Sequence, residues 1–104
     1  MVSSEHTETL KKVIHTLGYA DVDTFARVHA IRRLEKKISY CQSRVDFYEQ
    51  RYGMDYAAFV SRVINREDPI LGRFGTLEKE DDGSDWEDSL YFVQSFTDQL
   101  RAIE

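Results

Sequence analysis

Apolar residues recur along this chain at spacings of three and four, and the alternation of Val, Ile and Thr that marks strands is absent, so the pattern predicts helices throughout. The first predicted helix covers Thr7 to Leu17, with Leu10, Val13, Ile14 and Leu17 on one face. Gly18 ends it, because glycine closes a helix in the left-handed conformation without a Cβ penalty. A second, dominant helix is predicted to start at an Asp21 or Asp23 cap and to run to Tyr52 before Gly53. Within it Ile31, Leu34, Ile38, Cys41, Val45, Tyr48 and Tyr52 keep a strict 3,4 repeat, the a/d seam of a coiled coil. The g positions beside that seam hold Ala30, Lys37, Arg44 and Arg51, which favours a parallel homodimer or a different partner helix. Packing within the same chain explains the seam equally well. Tyr40 and Phe47 lie at c positions, so a further helix is expected to cover that side.

A short third helix follows. Asp55 is its cap, Met54 is placed to staple onto Phe59, and Phe59, Val60, Val63 and Ile64 form its face. Pro69 then forces extended backbone on Asp68. Residues 65–84, with Gly72, Gly75 and the acidic run Glu78 to Gly83, read as an acidic connector. Ser84-Asp85-Trp86-Glu87 matches a capping box and predicts the start of the last helix, over 85–104. Trp86, Leu90, Val93, Leu100 and Ile103 give that helix an apolar stripe, widened by Tyr91, Phe92 and Phe96. The expectation is one all-α domain of about four helices with a long coiled-coil-like centre: residues 1–64, the connector 65–84, and the amphipathic helix 85–104.

Charge adds a polarity along the chain. Residues 24–51 carry seven positive and three negative side chains, whereas residues 77–104 carry two positive and nine negative. An acidic, aromatic terminal helix suits a basic protein partner; equally, the two segments can attract each other inside the fold. At 104 residues, with 41% hydrophobic and 32% charged, the chain can form only a thin core. One cysteine excludes an intramolecular disulfide, and no apolar run approaches the ~20 residues of a membrane span. The chain is therefore expected to be cytoplasmic, with no membrane association.

No residues suggest chemistry. His6, His15 and His29 lack metal-ligand spacing, Gly72 and Gly75 have no lysine in phosphate-loop register, and Cys41 on the seam reads as a small buried apolar residue. No catalytic residue, metal site or cofactor is expected, and an enzyme is disfavoured. Arg32, Arg33, Lys36 and Lys37 share one exposed helix face that could meet nucleic-acid phosphates, although the net charge of -5 and the lack of interleaved base-reading residues favour a solvated face.

The segment LKKVIHTLGYADVDTFARVHAIRRLEKKI resembles the two-helix part of a ribbon-helix-helix antitoxin. RYGMDYAAFVSRVI with the acidic, Trp-containing terminal helix resembles small helical antitoxins of type II toxin–antitoxin modules. The N-terminal MVSSEHTE supplies no alternating strand to enter a DNA groove. The resemblance implies a dimer, and the seam places Ile31, Leu34, Ile38, Cys41, Val45 and Tyr48 at its interface. It also implies that a toxin is held by Trp86, Leu90, Phe92, Val93, Phe96 and Leu100. The alternatives are a DNA-binding regulator using Arg32, Arg33, Lys36 and Lys37, or a structural coiled-coil adaptor.

Overall fold

The computed structural model describes residues 4–104, with side chains from residue 6 onward. The first three residues of MVSSEHTE lie outside the described residues. The elements run α1 (Ser4–Thr16), α2 (Val22–Tyr52), α3 (Tyr56–Arg62), a single 3₁₀ turn (Leu71–Arg73) and α4 (Thr76–Ile103); no strand occurs among the described residues. The fold is all-α.

α2 has the expected ends. The Asp21 carboxylate accepts from the Thr24 N–H at 2.7 Å, satisfying an otherwise orphaned donor of the first turn. Gly53 closes the helix at φ 69°, and its N–H donates to the Glu49 carbonyl. Asp55 likewise caps α3 through the Ala58 N–H at 2.8 Å. Between α3 and α4, Asp68 organises the chain. Its carboxylate accepts from the Ile70 and Leu71 N–H groups and takes a two-pronged bond from the Arg62 guanidinium.

Arg62, followed by the Leu71 N–H, holds the Asp68 carboxyl down at about 2, from an ordinary 3.8. A group depressed on folding stabilises the protein above its unfolded value, and that contribution drains as pH falls through the folded one. Melting temperature should therefore drop as pH falls from about 4 to 2, and Asp68→Asn should flatten the drop. An unchanged acid limb in Asp68→Asn would show that the Arg62 pair does not couple to folding.

The last helix begins eight residues before the capping box. α4 starts at Thr76, so Glu78 to Gly83 is helix and Ser84-Asp85-Trp86-Glu87 lies inside it. The connector therefore shrinks to residues 63–75, and the predicted boundary at 84/85 is not a boundary. Two causes combine. Glu78 and Asp82 of the first turns are held by Arg51 of α2, and Gly83 is the seat of a neighbouring ring: a Cβ there would stand 3.0 Å from Phe59 Cε1.

α2 and α4 pair side by side along their lengths, and α3 lies across one end. The core is confined to that end. Val45, Tyr48, Tyr52, Phe59, Leu71 and Trp86 are buried together, with Met54, Tyr56, Val63 and Phe74 against them. Trp86 is 0% exposed, with Tyr48 and Tyr52 stacked on it and Tyr56 and Phe59 meeting it at steeper angles. Of the other apolar residues expected on the α3 face, Val60 is exposed, and Val63 and Ile64 lie past the helix end, with Ile64 85% exposed. α1 docks through Ile14, its one buried residue, and Tyr19 packs on Phe25 and His29 of α2; Leu10, Val13 and Leu17 face solvent.

Candidate protein interface

The same heptad that builds the core at one end of α2 leaves the other end uncovered. No residue of α2 from Val22 to Tyr40 is buried, and none of α4 from Leu90 to Ile103. Two helices alone give each seam residue one neighbouring helix and two open flanks. Ile31, Leu34 and Ile38 are therefore only half-buried, as are Val93, Phe96 and Leu100. Shape follows from this. The molecule measures 67 × 25 × 19 Å, with a radius of gyration of 21.3 Å against the roughly 13 Å of a compact domain of its length.

The six residues expected at a dimer interface therefore divide. Val45 and Tyr48 are buried within the chain in the closed-end core, and Cys41, also buried, lies under the groove between α2 and α4. Ile31, Leu34 and Ile38 remain partly accessible. The six residues expected to hold a partner divide too. Trp86 is the centre of the core and is inaccessible, whereas Leu90 and Phe92 are exposed and Val93, Phe96 and Leu100 are half-exposed. The helix expected to cover Tyr40 and Phe47 is absent among the described residues, and the rings are 67% and 48% exposed.

Charges along the α2 edge explain where the two helices hold each other and where they stop. Arg51 pairs with Glu78 and with Asp82 (3.2 Å), and Tyr52 donates to Asp82 at 2.6 Å. One heptad earlier Arg44 pairs with Asp85 at 2.7 Å, and Tyr48 donates to the same oxygen at 2.6 Å. Burial, then these bonds to carboxylates, pushes both phenols up to about 12, while the Tyr48 and Arg44 bonds hold Asp85 below its usual value. One heptad earlier again, Lys37 finds no acid on α4. It lies 5.8 Å from the centroid of the Phe96 ring instead. The acidic residues of early α4 are thus largely engaged internally, and the helical, aromatic part beyond Leu90 carries only Asp98 and Arg101 before the terminal Glu104.

Along the open half, apolar grooves run between the two helices. Leu34, Phe92, Phe96 and Ile103 form their floor, and Arg33, Lys36 and Lys37 stand at the rim. Arg32 is exposed outside this lining. The predicted basic set is therefore accessible, but three of its four members flank aromatic rings. Sequence reasoning missed this because the groove exists only once α4 is known to run antiparallel over α2; the legible signal was Lys37, the one basic g residue with no carboxylate at the matching heptad of α4.

No helix is long and apolar enough to cross a membrane, and no group of three or more His, Cys, Asp or Glu that could hold a metal ion occurs among the described residues. Comparison with protein-family models, curated proteins and solved structures gave no match.

Proposed function

We propose that this chain is a non-catalytic interaction protein that acts as antitoxins do, by holding a second protein against the open half of its helical hairpin. The observation that carries this reading is the absence of any buried residue over α2 from Val22 to Tyr40 and α4 from Leu90 to Ile103. Soluble monomers rarely leave contiguous apolar surface of this extent uncovered. Beyond the grooves, Leu90 and Tyr91 of α4 and Leu10, Val13 and Leu17 of α1 add exposed apolar area without entering the core. The partner surface is therefore centred on Leu90 and Tyr91 on the outward side of α4, and it excludes Trp86.

The basic residues do not turn this into a nucleic-acid reading. A phosphate track needs cations in series over polar ground, and here Arg33, Lys36 and Lys37 border rings.

The test is a growth assay, with the product of an adjacent reading frame as the candidate toxin. Co-expression of the wild-type chain should restore growth, and Leu90→Asp/Tyr91→Asp should lose at least tenfold of that protection while retaining its fold. Rescue undiminished by that pair would remove this surface from the proposal, and a harmless adjacent product would remove the antitoxin reading.

A further inference from the structure

We propose that the groove side of the open half is covered by a second copy of this chain, so that two hairpins form a four-helix bundle with α2 of each laid over α4 of the other. This rests on the reading of the open half as an association surface and goes beyond it by naming what occupies one side. Area is the first argument. The chain exposes 7777 Å², about 1,700 Å² more than the roughly 6,100 Å² expected of a compact monomer of 12.2 kDa. A standard interface removes ~800 Å² per partner and an obligate homodimer more, so the excess is of the size that self-association removes. A two-helix ribbon is also half of the smallest bundle that buries its seam on both flanks. A self-complementary face satisfies the symmetry of a two-fold dimer.

Charge decides the arrangement. α2 from Val22 to Tyr40 carries Arg27, Arg32, Arg33, Lys36 and Lys37 against Asp23 and Glu35. Stacking α2 on α2 would set Arg33, Lys36 and Lys37 against themselves. α4 from Leu90 onward carries Asp98 and the following Glu104 against Arg101, with no basic cluster to meet its own copy. Laying α2 over the second copy's α4 therefore matches opposite signs twice in one dimer. Leu34, Phe92, Phe96 and Ile103 supply the apolar centre, and the closed end, with Trp86 and α3, stays outside it. Neither Leu90 nor Tyr91 lines the grooves on this side, so the surface proposed for the second protein remains open.

The experiment is light scattering coupled to size-exclusion chromatography at roughly 100 μM, well above the dissociation constant of a standard-size interface. The wild type should elute at twice 12.2 kDa, and Phe92→Asp/Phe96→Asp at a single chain mass with unchanged Trp86 emission. Because those substitutions touch half-buried rings, a second variant uses exposed positions only. Arg33→Glu/Lys36→Glu/Lys37→Glu should be monomeric alone and should regain the dimer mass when mixed with Asp98→Lys/Glu104→Lys. A wild type at one chain mass overturns the second copy as occupant while leaving the growth assay to judge the proposed function. A dimer that persists in both variants overturns the groove as its interface.

Discussion

Trp86→Ala is expected to bring the chain to the edge of unfolding at room temperature, with about 0–2 kcal/mol of stability left. The indole is fully buried, touches four other rings and sits where α2, α3 and α4 converge. Truncating a buried aromatic of this kind costs about 3–5 kcal/mol, because transfer energy is lost and the cavity collapses only in part. Small domains have roughly 5–15 kcal/mol in total, and a chain whose core occupies one end of a 67 Å hairpin belongs at the low end of that range. Trp86→Phe is the matched control. It keeps most of the stacking area and removes the indole N–H, the one buried side-chain polar atom without a hydrogen-bond partner among the described residues. It should cost only about 1–2 kcal/mol. Urea denaturation followed by circular dichroism reads both. A Trp86→Ala chain within ~1 kcal/mol of wild type would mean that the aromatic cluster is not what joins the three helices.

The ends of α2 and α3 were legible because each is set by local chemistry: an Asp at the cap accepting from the third residue on, and Gly53 in the left-handed conformation. The start of α4 was hidden because its cap, Gly75, makes no side-chain hydrogen bond and so leaves no motif. The capping box at Ser84 drew the prediction inward, although such a box stops nothing unless the preceding residues leave the helix. A better signal lay in the charges. Arg44 and Arg51 are seven apart on one edge of α2, and Glu78, Asp82 and Asp85 are spaced by four and three, which is one face of a helix. Two complementary ladders at helical spacing argue that the acidic run is helix packed on helix. The alternative weighed from charge polarity, attraction within the fold, is what the Arg44 and Arg51 pairs display.

The seam illustrates a different limit. A heptad stripe states that a helix is covered but not by what, since a neighbour in the same chain and a second subunit bury the same positions. α4 occupies the seam along its length, yet the core built with α3 reaches only as far as Val45, because α3 is a short helix and the turn after it returns directly to α4. The division of the predicted interface between buried Cys41, Val45 and Tyr48 and accessible Ile31, Leu34 and Ile38 follows from that short third layer. The distinction between core and contact surface was therefore encoded in the length of α3, not in the seam itself.

That third layer depends on one missing side chain, and Gly83→Leu is expected to detach it. Glycine in a helix interior ordinarily costs about 0.5–1 kcal/mol relative to alanine, so its presence in the middle of α4 has to be offset. The offset is the Phe59 ring, which lies over the Gly83 Cα so closely that a Cβ would meet Cε1 at 3.0 Å and Cζ at 3.5 Å. Gly83→Ala should be close to neutral, the gain in helix propensity being spent on moving the ring by a few tenths of an ångström. Leucine adds three further carbons beside the Phe59 ring, and overpacking at this scale costs about 1–3 kcal/mol. Tyr52 and Trp86 hold the other side of the ring, so the ring has to move away from them, toward the surface cleft beside Val63 and Ile64. α3 should lift, Trp86 emission should shift to the red, and the midpoint of thermal unfolding should fall by more than 10 °C, at about 4–8 °C per kcal/mol for a domain of this size. A Gly83→Leu chain as stable as Gly83→Ala would show that α3 contributes little to the core, and the third layer would then have to be sought in residues 65–75 alone.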